Sequence, residues 1–183
     1  MSCPITPTNP GLLGALVPKT GQTTSYASND DGYYEAVVEW ANPRFTDNSD
    51  GTVTDNLTGL IWLKDANCFG TRNWYDALSD SNGLEDLEVG DDCGLTDDSS
   101  AGDWRLPNEN ELHSLIDFEQ YNPALPSGHP FVYVSTGSTI YWTSTTRYAS
   151  GATHSWYVNM YAGDQSSDYK FVSYHVWPVR DPL

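Results

Sequence analysis

Basic residues are scarce in this sequence, which has 8 Lys and Arg against 25 Asp and Glu and a formal net charge of -17. Proteins that bind nucleic acid, anionic membranes or sulfated glycosaminoglycans present a basic surface that displaces counterions. The composition therefore argues against all three partners. We expect the acidity to serve solubility, calcium binding or a cationic partner.

Long apolar runs are also missing, since none reaches the roughly 20 residues that a membrane-spanning helix needs. Residues 1–19 lack the charged start and apolar block of a secretory signal peptide. Two explanations stay open. Either a signal has been removed, or the protein leaves its cell by another route, for example on a virus particle.

Cysteine is limited to 3 residues. Cys68 and Cys93 flank a helical segment and a Gly/Asp-rich loop, whereas Cys3 lies in a Pro/Thr-rich stretch. We expect a Cys68–Cys93 disulfide if the protein works outside the cytosol, with two buried free thiols as the alternative. Cys3 is then unpaired.

Signals of catalysis are weak. The histidines, at 113, 129, 154 and 175, are scattered, and none belongs to a nucleophile or zinc motif. We therefore predict no enzyme, no catalytic residue and no metal ligand. Calcium is the one cofactor left open, because aspartates crowd a hairpin and a loop. They are Asp47, Asp50, Asp55, Asp91, Asp92, Asp97, Asp98 and Asp103.

Two regions differ in composition. Residues 1–43 are rich in Pro, Gly, Thr, Ser and Asn, which predicts an extended lead that packs on a domain over 44–183. A hairpin is predicted from segments 44–47 and 52–55 around Asp50-Gly51, because Asp-Gly favours tight hairpin turns. Residues 60–63 form a short apolar strand.

Two helices and a run of strands follow. Asn73 can cap the first helix, which has Trp74, Ala77 and Leu78 inward. Asn108 and Glu111 form a capping box for the second, which is predicted to run to Phe118. Strands are predicted at 140–145, 154–161, 169–174 and 176–180, with a turn at 162–165 and Trp156, Val158 and Met160 inward. This order indicates an α+β fold.

Five blocks of sequence resemble the Lcl C-terminal domain family, named for the terminal domain of bacterial collagen-like adhesins. They are residues 45–55, 58–62, 103–108 (Asp-Trp-Arg-Leu-Pro-Asn), 141–145 and 176–180 (Val-Trp-Pro-Val-Arg). The resemblance spans about 44–180 and implies a C-type lectin-like fold, with two helices and a twisted antiparallel sheet core. It also extends to variable proteins of diversity-generating retroelements, whose C-terminal strands vary to bind new ligands.

Two departures bear on function. The adhesin domains that bind sulfated glycosaminoglycans need positive charge, which this chain lacks. The Trp-Arg-Leu-Pro block is also similar to the sulfatase-modifying, formylglycine-generating enzymes. Those need a cysteine pair near the end of the fold, and the C-terminal half here has no cysteine.

Aromatic residues are abundant, with 7 Trp, 12 Tyr and 5 Phe. We expect Trp62 and Trp104 in the core, and Arg105 and Arg180 paired with carboxylates. Other rings are expected at the surface, where they give rigid contact area. By the fold resemblance, the candidate ligand-binding residues are Arg147, Tyr148, His154, Tyr161, Asp164, Tyr169, Phe171 and Val172.

The resulting prediction is a non-enzymatic recognition or adhesion domain. It would be displayed outside the cell, on a cell or virion surface, and would bind a protein or glycan. The alternative is a structural or trimerising domain of a surface fibre with no ligand. A sulfatase-modifying type of enzyme is the less favoured reading.

Overall fold

The computed structural model of the chain describes residues 17–86, 93–134 and 139–182. Three helices and nine strands lie within these ranges, and together they form an α+β fold, as predicted. The helices are α1 Asp31–Tyr34, α2 Trp74–Asn82 and α3 Glu109–His113. The strands are β1 Phe45–Asp47, β2 Thr52–Asp55, β3 Ile61–Leu63, β4 Thr71–Arg72, β5 Ile140–Arg147, β6 His154–Asn159, β7 Asp164–Tyr169, β8 Tyr174–His175 and β9 Val179–Arg180.

The strands form two sheets, in the orders β1-β2-β3-β9 and β4-β8-β5-β6-β7. All pairs are antiparallel except β5 with β8. Few helices beside two small sheets are compatible with a C-type lectin-like fold. None of the helices in the described ranges has the length and apolarity to cross a membrane.

The predicted hairpin is confirmed in β1 and β2. Asp50 Oδ1 accepts a bond from the Thr52 amide at 2.9 Å, which fixes the turn. Gly51 has φ +85, and a Cβ there would lie 2.3 Å from the Gly94 carbonyl oxygen. Only glycine allows both this backbone conformation and this close approach.

Both helix starts are confirmed. In α2, the Asn73 side chain accepts from the amides of Tyr75 and Asp76, and Trp74 and Ala77 are buried. Leu78 packs half-buried against the core. In α3, the capping box between Asn108 and Glu111 is present.

The predicted end of the second helix was wrong, because α3 stops at His113 rather than Phe118. The amides of Leu115 and Ile116 bond to carbonyls three residues back, as in a 3-10 turn. The Ser114 hydroxyl donates to the Glu111 carbonyl and occupies an acceptor of the last turn. Leu115 and Ile116 are nevertheless buried, as their spacing predicts.

The last strands were also predicted in part at the wrong place. Residues 164–169 form β7, where a turn had been predicted at 162–165 and 166–168 had no assignment, and the predicted strand 169–174 is mostly a turn before β8. β7 is an edge strand with mainly exposed positions. An exposed edge strand need not alternate apolar and polar residues, and that alternation is the signal from which a strand is predicted. The sequence of β7 therefore lacks the signal.

Trp156 was expected inward but is only half-buried, whereas its neighbour Ser155 is fully buried. At this point β5 is irregular, because its register with β6 shifts between Trp142 and Thr146. Ser155 Oγ lies 3.0 Å from Thr143 O and 2.8 Å from Thr145 O. A buried hydroxyl thus donates to carbonyls of the irregular stretch.

Tryptophans dominate the core. Trp62 and Trp104 are fully buried, as predicted, and Trp62 packs edge-on against Trp177 with centroids 5.6 Å apart. Trp104 Nε1 donates to Ser99 Oγ at 2.9 Å, and Trp177 Nε1 donates to Leu63 O at 2.7 Å. The indole N–H groups of Trp104 and Trp177 are thus paired inside the core.

The predicted disulfide is confirmed: Cys68 is bonded to Cys93, with their Cα atoms 5.6 Å apart. The expected arginine pairs are confirmed too. Arg105 bonds both oxygens of Glu111, and Arg180 Nη2 lies 2.9 Å from Asp97 Oδ2.

Residues 17–43 lie beside the loop that follows α3. The Phe118 amide donates to Thr20 O at 3.0 Å, and Glu119 accepts from the Thr23 hydroxyl at 2.7 Å and the Thr24 amide at 2.5 Å. The one-turn helix α1 was not predicted. The division of the chain at residue 43 stays a prediction.

Candidate ligand-binding surface

One end of the second sheet gathers five of the eight candidate residues. Arg147 pairs with His154 across β5 and β6, and His154 pairs with Tyr169 across β6 and β7. Because side chains alternate along a strand, Trp156 lies on the same face as His154. We call this surface the aromatic face, defined by Arg147, His154, Trp156, Tyr169 and Phe171.

Three rings of the aromatic face form a continuous layer. The His154 and Tyr169 centroids are 4.0 Å apart. Phe171 stacks on Tyr169, at 5.1 Å and an interplanar angle of 19°. Tyr169 is 47% exposed and Phe171 is 75% exposed. A large apolar area therefore faces solvent while its rings support one another.

Arg147 is held at the edge of this layer. Its Nη1 donates to Ser167 Oγ at 2.9 Å, and its Cζ lies 5.7 Å from the centroid of Trp156. The guanidinium keeps donors free, since it carries five N–H groups. Arg147 can therefore offer a charged contact beside the aromatic rings.

Tyr148 follows Arg147 directly and is 90% exposed. It begins a short 3-10 turn that ends at Gly151, whose φ of 64 is in the left-handed region. The Ser150 hydroxyl donates to the Arg147 carbonyl at 2.9 Å and tightens this turn. Tyr148 thus projects from a hydrogen-bonded corner next to the aromatic face.

A buried lysine, Lys170, connects the same end of the sheet to the neighbouring helix α2. Lys170 Nζ lies 3.7 Å from the centroid of the Trp74 ring and donates to Thr146 Oγ1 at 2.8 Å. Burial lowers the pKa of the Lys170 ammonium. This contact links the end of β7 to the start of α2, because the Trp74 amide also donates to the Lys170 carbonyl.

The opposite face of this sheet is packed. Trp142 contacts Tyr174 with centroids 4.8 Å apart, and Tyr157 lies 5.3 Å from Tyr174. The Tyr174 hydroxyl donates to Asp168 Oδ2 at 2.7 Å. Burial, and then this bond to a carboxylate, raise the pKa of the Tyr174 phenol.

The remaining three candidate residues are not part of this exposed surface. Tyr161 and Asp164 flank the turn at the other end of β6 and β7. That end is about 17 Å from His154, because five residues of strand lie between them at about 3.3 Å each. There Tyr161 contacts Tyr121, with centroids 6.4 Å apart. Val172 is half-buried against the core. The structure thus brings together Arg147, Tyr148, His154, Tyr169 and Phe171.

Sequence reasoning missed Trp156 and Ser167. Trp156 was assigned to the core by simple alternation, whereas the pairing after the register shift in β5 puts Arg147 opposite His154, two residues from Trp156. Ser167 lay between the predicted turn at 162–165 and the predicted strand at 169–174, without an assignment of its own. Its place opposite Trp156 in β7 was the missing information.

Four cavities, of about 300 to 580 Å³, are lined by other residues. The most charged, of about 300 Å³, is lined by Lys19, Glu35, Glu39, Trp40 and Asp117, among others. Lys19 Nζ lies 2.5 Å from Glu39 and 3.3 Å from Glu35, and the bond to Glu39 raises the pKa of Lys19. Burial raises the pKa of Asp117.

Calcium stays a prediction. Within residues 17–86, 93–134 and 139–182, no group of three or more His, Cys, Asp or Glu side chains could hold a metal ion. Asp47 pairs with Lys64, Asp55 with Arg44 and Asp97 with Arg180, so three of the candidate aspartates form ion pairs within the protein. Asp91 and Asp92 lie outside the described residues.

Comparison with known proteins places the chain in a family. A search of curated proteins finds no match. The family model described as the Lcl C-terminal domain matches residues 51–180, which include both sheets' principal strands and the whole aromatic face. The chain therefore belongs to the Lcl C-terminal domain family.

Proposed function

We propose that this protein is a non-enzymatic recognition or adhesion domain that binds a ligand through the aromatic face and Tyr148. It would act on a cell or virion surface. The observation that carries the proposal is the exposed layer of His154, Tyr169 and Phe171 beside Arg147. Exposed aromatic side chains and arginine are the residues that most often dominate binding at protein surfaces.

The scaffold beneath this surface supports the proposal. β5 and β6 are anchored by Trp142 and Val158, which are fully buried, and Lys170 fixes the end of β7 to α2. A rigid support reduces the entropy lost when a ligand orders surface side chains. The Cys68–Cys93 disulfide suits a protein that works in an oxidising environment.

The surface also suits a diversified target of a diversity-generating retroelement. Tyr148 and Phe171 are among the most exposed aromatic residues, so we expect their replacement to leave the sheet intact. Sequencing this locus in sister strains tests the idea. Substitutions concentrated at the aromatic face and Tyr148 are expected, and an even spread of changes would contradict it.

Binding itself is tested with a glycan and protein array. Tyr169→Ala and Phe171→Ala should each lose at least tenfold in affinity for any ligand found, with the melting temperature nearly unchanged for Phe171→Ala. Tyr26→Ala is the matched control, because Tyr26 is 79% exposed and lies far along the chain. Equal losses in all three variants would argue against this surface.

A further inference from the structure

The partners of the basic side chains point to the chemistry of the ligand. All 8 Lys and Arg fall within the described residues. Six form ion pairs with carboxylates, namely Lys19, Arg44, Lys64, Arg72, Arg105 and Arg180. Among the described residues, Arg147 and Lys170 have no carboxylate within 4.0 Å.

These two cations lie at the same end of the second sheet. Lys170 Nζ donates to the hydroxyl of Thr146, the residue that precedes Arg147. Lys170 is only 8% exposed, so a ligand cannot easily reach it, whereas Arg147 is exposed. The lysine adds positive potential, and Arg147 is the group that a ligand would contact.

The nearest carboxylate along β7 does not neutralise Arg147. Asp168 pairs with Ser155, so it lies on the opposite face from His154 and Tyr169. Its two oxygens accept from the Tyr174 hydroxyl and the Tyr169 amide, each at 2.7 Å. The aromatic face therefore carries an exposed arginine with no carboxylate partner among the described residues, on a chain of net charge -17.

We infer that the ligand of the aromatic face is an acidic segment of a partner protein. An Asp or Glu carboxylate of that segment pairs with Arg147, and an adjacent apolar side chain packs on Tyr169 and Phe171. This inference rests on the proposed function. One exposed cation suits a single carboxylate, whereas a polyanion would need several and would meet the acidic remainder of the chain.

Screening allows this local attraction despite the overall charge. At physiological ionic strength the Debye length is about 8 Å, so distant acidic residues oppose a short-range ion pair only weakly. A protein suits the surface better than a small sugar, because the rings project into solvent. Small ligands favour concave sites, and none of the four cavities above is lined by the aromatic face.

The test uses a random peptide library selected on the full chain, followed by measurement of the enriched peptides against variants. Asp or Glu next to an apolar residue should be enriched. Arg147→Gln should weaken binding at least tenfold, which corresponds to about 1.4 kcal/mol. Arg72→Gln is the control, since it removes the same charge at an arginine already paired with Asp80.

The outcomes separate this inference from the proposed function. If Tyr169→Ala and Phe171→Ala lose binding but Arg147→Gln does not, the aromatic face is the binding surface but the ligand carboxylate proposed to pair with Arg147 is wrong. If the array instead yields an anionic glycan whose binding depends on Arg147, the protein partner is wrong. If peptides bind unaffected by all three variants, or if nothing binds, both proposals are contradicted.

Discussion

Arg44 and Asp55 form a buried ion pair with two bonds, Nε to Oδ1 at 2.9 Å and Nη2 to Oδ2 at 3.0 Å. Asp55 also accepts from the Leu57 amide and the Thr58 hydroxyl, so the hairpin and the following turn share one carboxylate. The guanidinium packs between the rings of Trp40 and Phe45. This pair joins the strands of the first sheet to the segment before them.

Loss of the Asp55 charge should destabilise the fold strongly. Asp55→Asn leaves a buried guanidinium uncompensated, at a cost of about 3–5 kcal/mol. The expected fall in melting temperature, by calorimetry, is about 6–20 °C for a protein of this size. Asp47→Asn is the control, because its pair with Lys64 is exposed and should contribute about 0–1 kcal/mol. Similar falls in both variants would show that burial is not decisive.

The disulfide should stabilise by restricting the unfolded chain. For a separation of 25 residues, chain entropy predicts about 3.5 kcal/mol. Cys68→Ser with Cys93→Ser should therefore lower the melting temperature by about 7–14 °C. Reductant should lower the wild-type value by a similar amount and leave the double variant unchanged. A wild-type protein insensitive to reductant would contradict the bond.

The capping box should contribute measurably to the stability of the protein, although α3 is short. Asn108→Ala removes the acceptor for the Glu111 amide and should cost about 1 kcal/mol, or about 2–4 °C in melting temperature. Asn110→Ala, at an exposed position of the same helix, should have no such effect. Equal changes in the two variants would assign the effect to helix propensity alone.

The Glu119 contact should depend on pH. Bonds from the Thr23 and then the Thr24 side chains and from the Thr24 amide lower the pKa of Glu119 to about 2. Because the folded-state pKa is lowered, the ionised Glu119 stabilises the contact fully at pH values above its ordinary pKa of 4.5. That stabilisation is lost as the pH falls towards 2. The amide shift of Thr24, followed by NMR, should titrate with a midpoint near 2.

Glu119→Gln should remove that titration step while the amide signals of α2 stay in place. A midpoint near the ordinary glutamate value would instead show that the bonds to Thr23 and Thr24 do not persist in solution.

Local chemistry explains what the sequence could predict. Asn73, Asn108 and Asp50-Gly51 act on residues within one turn, so their helix starts and hairpin were predicted correctly. The end of α3 was not, because the apolar spacing of Leu115 and Ile116 continues where the backbone bonding changes. Leu115 and Ile116 are buried, as their apolar spacing predicts, although the helix ends before them.

Long-range pairing explains what the sequence could not predict. Nothing in the residues of β7 reports that they pair with β6, since an exposed edge strand needs no apolar side. The aromatic face depends on that register and on the irregularity of β5. Arg147, His154 and Tyr169 were therefore named as candidates without their common row being foreseen, whereas Tyr161 and Asp164 proved to lie at the far end.

The pairing of β3 with β9 has a consequence for how the molecule is made and how it tolerates change. β9 follows β3 by more than a hundred residues, so during synthesis the first sheet stays open until nearly all of the matching segment has left the ribosome. Once paired, β3 and β9 hold together the two ends of the segment between them, which contains every strand of the second sheet. Within that segment, the β6–β7 hairpin pairs with the rest of the second sheet through β5, so substitutions on its exposed side could accumulate without disturbing the β3–β9 pairing.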